Sequence, residues 1–183
     1  MTLVRQAYPS DAPIIARIHV ETWRATYAGL LPDRVLAGMR QEHHRASWQN
    51  LLLGKRGRET VLVAERAKTG VVGFVSAGRT RSGLADYEAE IYTLYVIPDF
   101  QNQGIGRRLF DTVLQRLAEE DLDGVMLWVL AKNPSRFFYE AVGGAKIATR
   151  KERLWGVVLP EIAYGWPDLA RVGKRSRDGA RAD

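Results

Sequence analysis

The sequence predicts a mixed α/β domain, and three observations support that class. The length of 183 residues suits one domain, and the apolar fraction of 46% excludes a wholly disordered chain. β-rich segments joined by short turns lie between Thr60 and Val96, a pattern typical of antiparallel hairpins. A strand–helix–strand unit then follows within the same sheet.

The first half of the chain begins with a strand and a helix, because Asp11 is a suitable N-cap and Pro13 is tolerated in a first turn. The predicted elements are, in order, a strand at Leu3–Ala7, a helix from Asp11 to about Ala25, weaker helical patterning at Asp33–Leu53 interrupted near Gly38, a turn at Gly54–Arg58, and strands at Thr60–Glu65, Val71–Ala77 and Tyr87–Val96.

The second half alternates strands and helices. Val125–Leu130 is apolar throughout, like a strand buried on both faces. Asn133 and Pro134 form a helix start, and Gly143 a helix stop. The other predicted elements are a helix from Ile105 to about Asp121 and strands at Ala145–Leu154 and Gly156–Tyr164.

Several functional classes are excluded by composition. Cysteine is absent, so disulfides, a thiol nucleophile and Cys-ligated metals are excluded. His19, His43 and His44 lack metal-ligand spacing, so we expect no metal site. The chain has neither the apolar core of a signal peptide nor the roughly 20 apolar residues of a membrane span. We therefore expect a cytoplasmic protein without a membrane partner.

The formal net charge is +6, and half of it lies near the carboxyl terminus. Arg171–Asp183 contains five basic and two acidic residues without apolar periodicity. We predict a single domain at 1–168 and a basic, disordered tail at 169–183. Nucleic acid is not an expected partner, although contact through the tail stays open as an alternative, and the charge of the remaining chain suits a polyanionic cofactor.

One loop has the features of an anion site. A strand ending at Val96 leads into a loop with Gly104, and a helix opens at once with Ile105-Gly106-Arg107-Arg108. Helix N-terminal amides bind anions, and glycine lets the main chain approach a phosphate closely. Arginines in a first turn oppose the helix dipole, which makes sense if an anion occupies the loop. Neither a Walker A loop nor a dinucleotide fingerprint fits these residues.

The pattern Gln-x-x-Gly-x-Gly at 101–106, after Leu-Tyr-Val-x-Pro at 94–98, resembles the GCN5-related N-acetyltransferase (GNAT) superfamily. Asn133 and Phe138-Tyr139-Glu140 add to the resemblance, which covers Leu3–Trp166. It implies a mixed, mostly antiparallel central sheet of about seven strands with helices on both faces, split between the strands that end at Val96 and Leu130.

The resemblance also implies acetyl-CoA as the cofactor, with coenzyme A as the product. In that family the loop amides bind the pyrophosphate, and the preceding strand pairs with the pantetheine arm. The cofactor-binding residues implied here are Leu94, Tyr95, Val96, Gln101, Asn102, Gln103, Gly104, Ile105, Gly106, Arg107, Arg108, Asn133 and Tyr139.

Glu90 is the candidate general base. Alternation places Glu88, Glu90, Tyr92, Leu94 and Val96 on one face of a strand, where a carboxylate must face water or a cleft. An attacking amine must lose a proton, and the resemblance gives that task to Glu90. A solvated strand face is the alternative interpretation, and Glu88 is the alternative base.

Tyr139 is the candidate general acid, because the family's tyrosine at this position protonates the departing thiolate. Phe137/Ala141 and Phe138/Val142 are i, i+4 pairs suited to the core, and the Tyr139 ring could instead complete that face. Asn133 is expected to cap the helix and to bind the cofactor arm, with capping alone as the alternative.

The acceptor is not readable from the sequence, because variable loops at Arg24–Pro32 and Arg79–Asp86 would build its site. Trp23 and Tyr27 resemble acceptor-side residues, and Glu88 and Tyr92 would add to an acidic, aromatic site for a small-molecule, polyamine or peptide amine. We expect an N-acetyltransferase that acts by direct transfer and can form a homodimer. A non-catalytic acyl-CoA sensor is the alternative.

Overall fold

The protein is described by a computed structural model that covers residues 1–55, 59–154 and 156–169. The elements, in chain order, are β1 Thr2–Gln6, α1 Ala12–Tyr27, α2 Asp33–Gly38, α3 Gln41–Leu52, β2 Thr60–Arg66, β3 Gly70–Arg79, β4 Ala89–Val96, α4 Ile105–Glu119, β5 Val125–Leu130, α5 Arg136–Ala141, β6 Ala145–Leu154 and β7 Val157–Trp166. The order and type of the predicted elements are confirmed.

The seven strands form one sheet in the order β1-β2-β3-β4-β5-β7-β6. The pairs β1–β2, β5–β7 and β6–β7 are antiparallel. β4 and β5 are parallel and share two register pairs, Ala89 with Val125 and Glu90 with Met126. The predicted mixed, mostly antiparallel sheet of about seven strands is therefore confirmed.

The chain divides into two compact units, and β3, β4 and α4 contribute to both. The first unit contains Met1–Ser76 and Thr93–Leu109, and the second contains Ala77–Tyr92 and the chain from Phe110 onward. Of the predicted tail, only Leu169 lies within the described residues, and it is buried. Residues 56–58 of the predicted turn also lie outside them. No helix in the described ranges has the length and apolar composition of a membrane span.

Helices cover both sheet faces in the first unit. Phe74 of β3 packs against Trp48 of α3, with ring centroids 5.1 Å apart. Successive strand residues face opposite sides, so Gly73 faces away from these helices. A Cβ at Gly73 would lie 3.3 Å from Leu109 of α4, which therefore covers the other face.

α1 begins where the sequence predicts, but the Asp11 side chain makes no capping hydrogen bond to the helix. Asp11 occupies the N-cap position of α1. Its carboxylate accepts a hydrogen bond from Tyr8 N–H at 2.8 Å and forms an ion pair with Arg5 at 2.7 Å. Burial alone would raise the pKa of the Asp11 carboxyl, but these bonds from Arg5 and Tyr8 outweigh it and lower that pKa. The predicted position of the helix start is confirmed, with Pro13 in the first turn, whereas the predicted side-chain cap by Asp11 is wrong because its carboxylate is taken up by Arg5 and Tyr8.

The start of α5 was predicted wrongly. Its regular helix begins at Arg136 rather than Pro134 because the chain first makes tighter i to i+3 bonds, from Arg136 N–H to Asn133 O and from Phe137 N–H to Pro134 O. Asn133 still caps this turn, since its Oδ1 accepts Ser135 N–H at 2.9 Å. Phe137 is 57% exposed, so the predicted core pair with Ala141 is also wrong.

Gly124 is a position where we expect alanine to destabilise the fold. Its φ is +65°, and a Cβ there would lie 2.4 Å from the Asp86 carbonyl oxygen, so the backbone must move. Gly83 has the same φ of +65° but open space around a Cβ. We expect Gly83→Ala to cost about 1 kcal/mol and Gly124→Ala about 3 kcal/mol or more, measured by urea unfolding. Equal costs would contradict the steric explanation.

Candidate active site

The loop between β4 and α4 presents a row of main-chain N–H groups. In the part of the chain that the structure describes, the amides of residues 102–106 donate to no main-chain carbonyl, and Arg108 N–H donates to Gly104 O at 3.1 Å. Asn102 and Gly104 have φ values of +58° and +74°, so the chain turns sharply at both. These amides lie at the positive end of α4 and can together bind an anion.

Two glutamine side chains hold this loop in shape. Gln101 Nε2 donates to Val96 O at 2.9 Å, and Gln103 Nε2 donates to Asp99 O at 3.0 Å. Gln103 Oε1 also accepts a bond from Arg66 at 2.8 Å. The side chains thus brace the loop from within, and it is the main chain that the loop presents to a ligand.

Arg107 and Arg108 are exposed in the first turn of α4. The Arg108 guanidinium donates to Thr2 O at 3.3 Å. Both cations lie where the helix dipole disfavours them, so a bound anion would stabilise this arrangement. Their contact with a phosphate stays a prediction.

Trp23 and Tyr27 belong to an aromatic cluster in the first unit. Their ring centroids are 4.9 Å apart, and Trp23 Nε1 donates to Tyr95 Oη at 2.9 Å. His19 packs beside Trp23 and Tyr95, with centroids 5.7 and 5.5 Å away. Packing therefore accounts for both predicted acceptor residues, and their contact with an acceptor stays a prediction.

His19 is held neutral inside this cluster. Burial, with a smaller contribution from His44, lowers the pKa of His19 to about 3. Trp48 Nε1 donates to its Nδ1 at 3.3 Å, a bond that suits the neutral ring.

This burial predicts acid sensitivity. Between pH 6.5 and about 3 the unfolded chain binds a proton at His19 that the folded chain does not. The free energy of unfolding therefore decreases as the pH falls through this range, and the contribution of His19 is fully present above pH 6.5. We expect the free energy of unfolding to fall by about 1 kcal/mol more per pH unit in wild type than in His19→Gln, measured by urea unfolding from pH 4.5 to 7.5. Equal slopes would contradict a neutral, buried His19.

Glu90 in β4 is half-buried and is held by the loop that joins β3 to β4. Its Oε2 accepts Arg81 N–H at 2.8 Å and the Ser82 hydroxyl at 3.2 Å. Ser82 Oγ accepts Trp128 Nε1–H at 2.8 Å. Within the described ranges, Glu90 Oε1 has no hydrogen-bond or ion-pair partner.

The β3–β4 loop is itself fixed to β4. Tyr92 Oη donates to Arg79 O at 2.6 Å, and the Arg81 guanidinium lies 3.4 Å from the Tyr92 ring centroid. Thr80 N–H donates to Glu88 O at 2.8 Å. Part of the loop that the sequence assigned to acceptor binding therefore orients the candidate base.

The strand alternation predicted around Glu90 holds only in part. Glu90 and Tyr92 are half-buried between buried Ala89 and Ile91, as alternation requires, but every residue from Tyr92 to Tyr95 is half-buried and Val96 is buried. Val96 therefore does not share the exposure of Glu90. Glu88 precedes β4, and its Oε2 accepts Asp123 N–H at 2.9 Å, so it anchors the turn before β5.

Tyr139 is the buried member of α5, at 8% exposure. Its ring lies against Phe138 and Tyr164, with centroids 5.4 and 6.3 Å away. Tyr164 Oη donates to Glu140 Oε1 at 2.5 Å, and burial followed by this bond raises the pKa of Tyr164. Asn133, before α5, is 5% exposed.

The predicted site residues therefore fall into two groups. The first unit contains Trp23, Tyr27, Leu94–Val96 and the loop residues 101–108, and the second contains Glu88, Glu90, Tyr92, Asn133 and Tyr139. Sequence reasoning missed Arg81 and Ser82 as partners of Glu90. No local signal could have found them, because the bonds span 8 or 9 residues to Glu90 and 46 from Ser82 to Trp128.

Comparison with known proteins shows the family of the chain. A family model described as "Acetyltransferase (GNAT) family" matches residues 17–144. The chain is 34% identical over 172 residues to the uncharacterized N-acetyltransferase YuaI of Bacillus subtilis (strain 168), covering 94% of this chain and 96% of that protein.

Two solved structures share the fold. PaiA N-acetyltransferase from Thermoplasma acidophilum, in complex with coenzyme A, is 18% identical to this chain, with a TM-score of 0.69. The superposition covers 91% of this chain and 99% of the PaiA chain. YncA from Salmonella typhimurium, with its cofactor acetyl-CoA, is 20% identical to this chain, with a TM-score of 0.65. The superposition covers 92% of this chain and 94% of the YncA chain.

The chain shares the fold of these solved N-acetyltransferases, and it belongs to the acetyltransferase (GNAT) family. It is an acetyl-CoA-dependent enzyme. The residues present fit that cosubstrate, because the amides of residues 102–106 are available for a diphosphate and a Cβ at Gly104 would meet no atom within 4 Å.

Proposed function

We propose that the enzyme transfers the acetyl group of acetyl-CoA directly to a primary amine of a small molecule or peptide, with Glu90 as general base and Tyr139 as general acid. The Glu90 carboxylate carries this proposal. Two donors hold one oxygen, and the other has no partner within the described chain. The absence of cysteine also excludes a thiol acyl-enzyme.

Glu90 lowers the cost of making the amine nucleophilic. An alkylammonium has an ordinary pKa near 10.4, so only about 1 in 2,500 molecules is neutral at pH 7, a cost of about 4.6 kcal/mol. A carboxylate oxygen fixed beside the ammonium accepts the proton as the nitrogen attacks the thioester carbonyl carbon. The new C–N bond replaces the C–S bond, and the Tyr139 hydroxyl gives its proton to the departing sulfur. The second proton that the nitrogen loses restores the Tyr139 hydroxyl, so one proton per turnover is left on Glu90 and passes to solvent.

We assign the remaining roles by the resemblance to the family. We assign the main-chain amides of residues 102–106, with Arg107 and Arg108, to the diphosphate of acetyl-CoA. The main chain of Leu94–Val96 pairs with the pantetheine arm and stabilises negative charge on the thioester oxygen. We also assign Asn133 to the same arm, and Trp23, Tyr27, Glu88 and Tyr92 to the acceptor.

A labelled-acetyl assay tests the function. The protein is incubated with ¹³C-acetyl-CoA and a panel of amines that contains spermidine, n-butylamine and a hexapeptide with a free amino-terminal alanine. Mass spectrometry should show a labelled amide on at least one amine. Calorimetry with acetyl-CoA accompanies it, and tight binding without any turnover would contradict the proposal and favour a sensor.

Tyr139→Phe should lower kcat about 10- to 100-fold and leave the Kd for acetyl-CoA within twofold, because it removes the proton given to the departing thiolate and keeps the aromatic ring. Tyr164→Phe is the matched control. It deletes another buried hydroxyl in the second unit, the one bonded to Glu140, and should keep kcat. Steady-state kinetics and calorimetry check both variants, and equal losses would contradict an acid role for Tyr139.

A further inference from the structure

Ser82 lies at the centre of a hydrogen-bonded chain that ends on the proposed base. Trp128 Nε1 lies 2.8 Å from Ser82 Oγ, which lies 3.2 Å from Glu90 Oε2. An indole N–H can only donate, so Ser82 Oγ must accept it. The single hydroxyl proton of Ser82 is then directed to the carboxylate.

Trp128 is well placed to fix the direction of this chain. It lies in β5 and pairs with Ala163 of the neighbouring β7. The Arg150 guanidinium of β6 lies 4.1 Å from the indole ring centroid, and Arg150 is paired with Glu161 at 2.6 Å. Strand pairing and stacking together therefore restrict the indole.

The two oxygens of Glu90 differ as a result. A carboxylate oxygen offers about two lone-pair sites, and Oε2 already accepts Arg81 N–H and the Ser82 hydroxyl. No described residue donates to Oε1. A proton that arrives from an amine therefore has its acceptor site at Oε1.

We propose that Ser82 is a positioning residue, which fixes the Glu90 carboxylate so that Oε1 receives the proton of the amine. This inference rests on the proposed function, in which Glu90 is the base. Without the Ser82 hydroxyl, the broad terminal torsion of Glu90 loses one of its two restraints. A reacting oxygen that is misplaced even slightly reduces the rate steeply.

A double-mutant cycle tests this role with spermidine, n-butylamine and the alanine hexapeptide as acceptors. The variants are Ser82→Ala, Ser82→Thr, Glu90→Gln and the double variant Ser82→Ala with Glu90→Gln. We expect Ser82→Ala to lower kcat about tenfold with an unchanged KM for acetyl-CoA, and Ser82→Thr to stay within twofold of wild type because it keeps the hydroxyl. In the Glu90→Gln background, Ser82→Ala should change kcat by less than about twofold, because the group it positions is no longer a base.

The outcomes separate this inference from the proposed function. Wild-type kcat in Ser82→Ala, or the same tenfold loss in both backgrounds, overturns the positioning role and leaves Glu90 as the base. A wild-type enzyme that acetylates none of the three amines, or a Glu90→Gln variant that keeps full activity, overturns the proposed function and this inference with it. Thermal unfolding confirms that the compared variants are folded, and loss of activity in Ser82→Thr as large as in Ser82→Ala also counts against the inference.

Discussion

Glu90→Gln should reduce kcat by about 10²- to 10⁴-fold, the range expected when a positioned general base is lost. Glutamine has nearly the same shape, and its carbonyl oxygen can still accept Arg81 N–H and the Ser82 hydroxyl, so the β3–β4 loop should keep its structure. The Kd for acetyl-CoA should stay within twofold, because the anion loop at 101–108 is untouched. Steady-state kinetics and calorimetry measure the two quantities.

The pH dependence of the variant gives a stricter test. Without Glu90 the amine must lose its proton to solvent, so kcat/KM should rise about tenfold per pH unit from pH 7 to 9, below the ordinary amine pKa near 10.4. Wild type should rise less steeply. Glu88→Gln is the comparison, since the Glu88 carboxylate accepts Asp123 N–H at the turn before β5. A larger loss in Glu88→Gln than in Glu90→Gln would transfer the base role to Glu88.

Elements with local signals were predicted well from the sequence. α4 follows directly from Gly104 and from the apolar positions Ile105, Leu109, Val113 and Leu117, all of which are buried. The bounds of β5 were predicted to the residue because Val125–Leu130 is a run of large apolar residues between Gly124 and Ala131. In each case a few neighbouring side chains determine the structure.

α5 shows where local signals fail. Asn133 and Pro134 suit a helix start, yet the chain makes two tight i to i+3 bonds before regular helix begins at Arg136. The helix is therefore shorter, and Phe137 lies on its exposed side with the Arg136 guanidinium 4.0 Å from its ring centroid. A choice between tight and regular turns depends on tertiary packing, which sequence spacing does not encode.

The same distinction applies to the site. The anion loop is a contiguous segment, so its residues could be named from the sequence. The environment of Glu90 could not, because it depends on Arg81 and Ser82 across a strand connection and on Trp128 from the neighbouring strand β5. In the sequence, Trp128 is recognisable only as an apolar residue of a predicted strand. The resemblance can thus nominate a base within a strand, whereas the hydrogen-bond partners of that residue emerge only when the strands pair.

Gly104→Ala should weaken acetyl-CoA binding about 10- to 100-fold, a loss of about 1.4 to 2.7 kcal/mol. Gly104 is exposed beside the amides of the anion loop, and a Cβ there would meet no protein atom within 4 Å. The space is therefore available for a ligand, and a methyl group would occupy it where main chain and phosphate approach. Isothermal titration calorimetry with acetyl-CoA and with coenzyme A measures the loss.

Gly54→Ala separates this effect from backbone strain. Gly54 follows α3 with a φ of +73°, against +74° at Gly104, and a Cβ there also meets no atom within 4 Å. Alanine therefore has the same conformational cost at both positions, about 1 kcal/mol of stability. Only Gly104→Ala should change the Kd, while urea unfolding should change equally in the two variants. Equal Kd values for acetyl-CoA in the Gly104→Ala and Gly54→Ala variants would mean that the diphosphate lies elsewhere, because backbone strain affects both glycines alike.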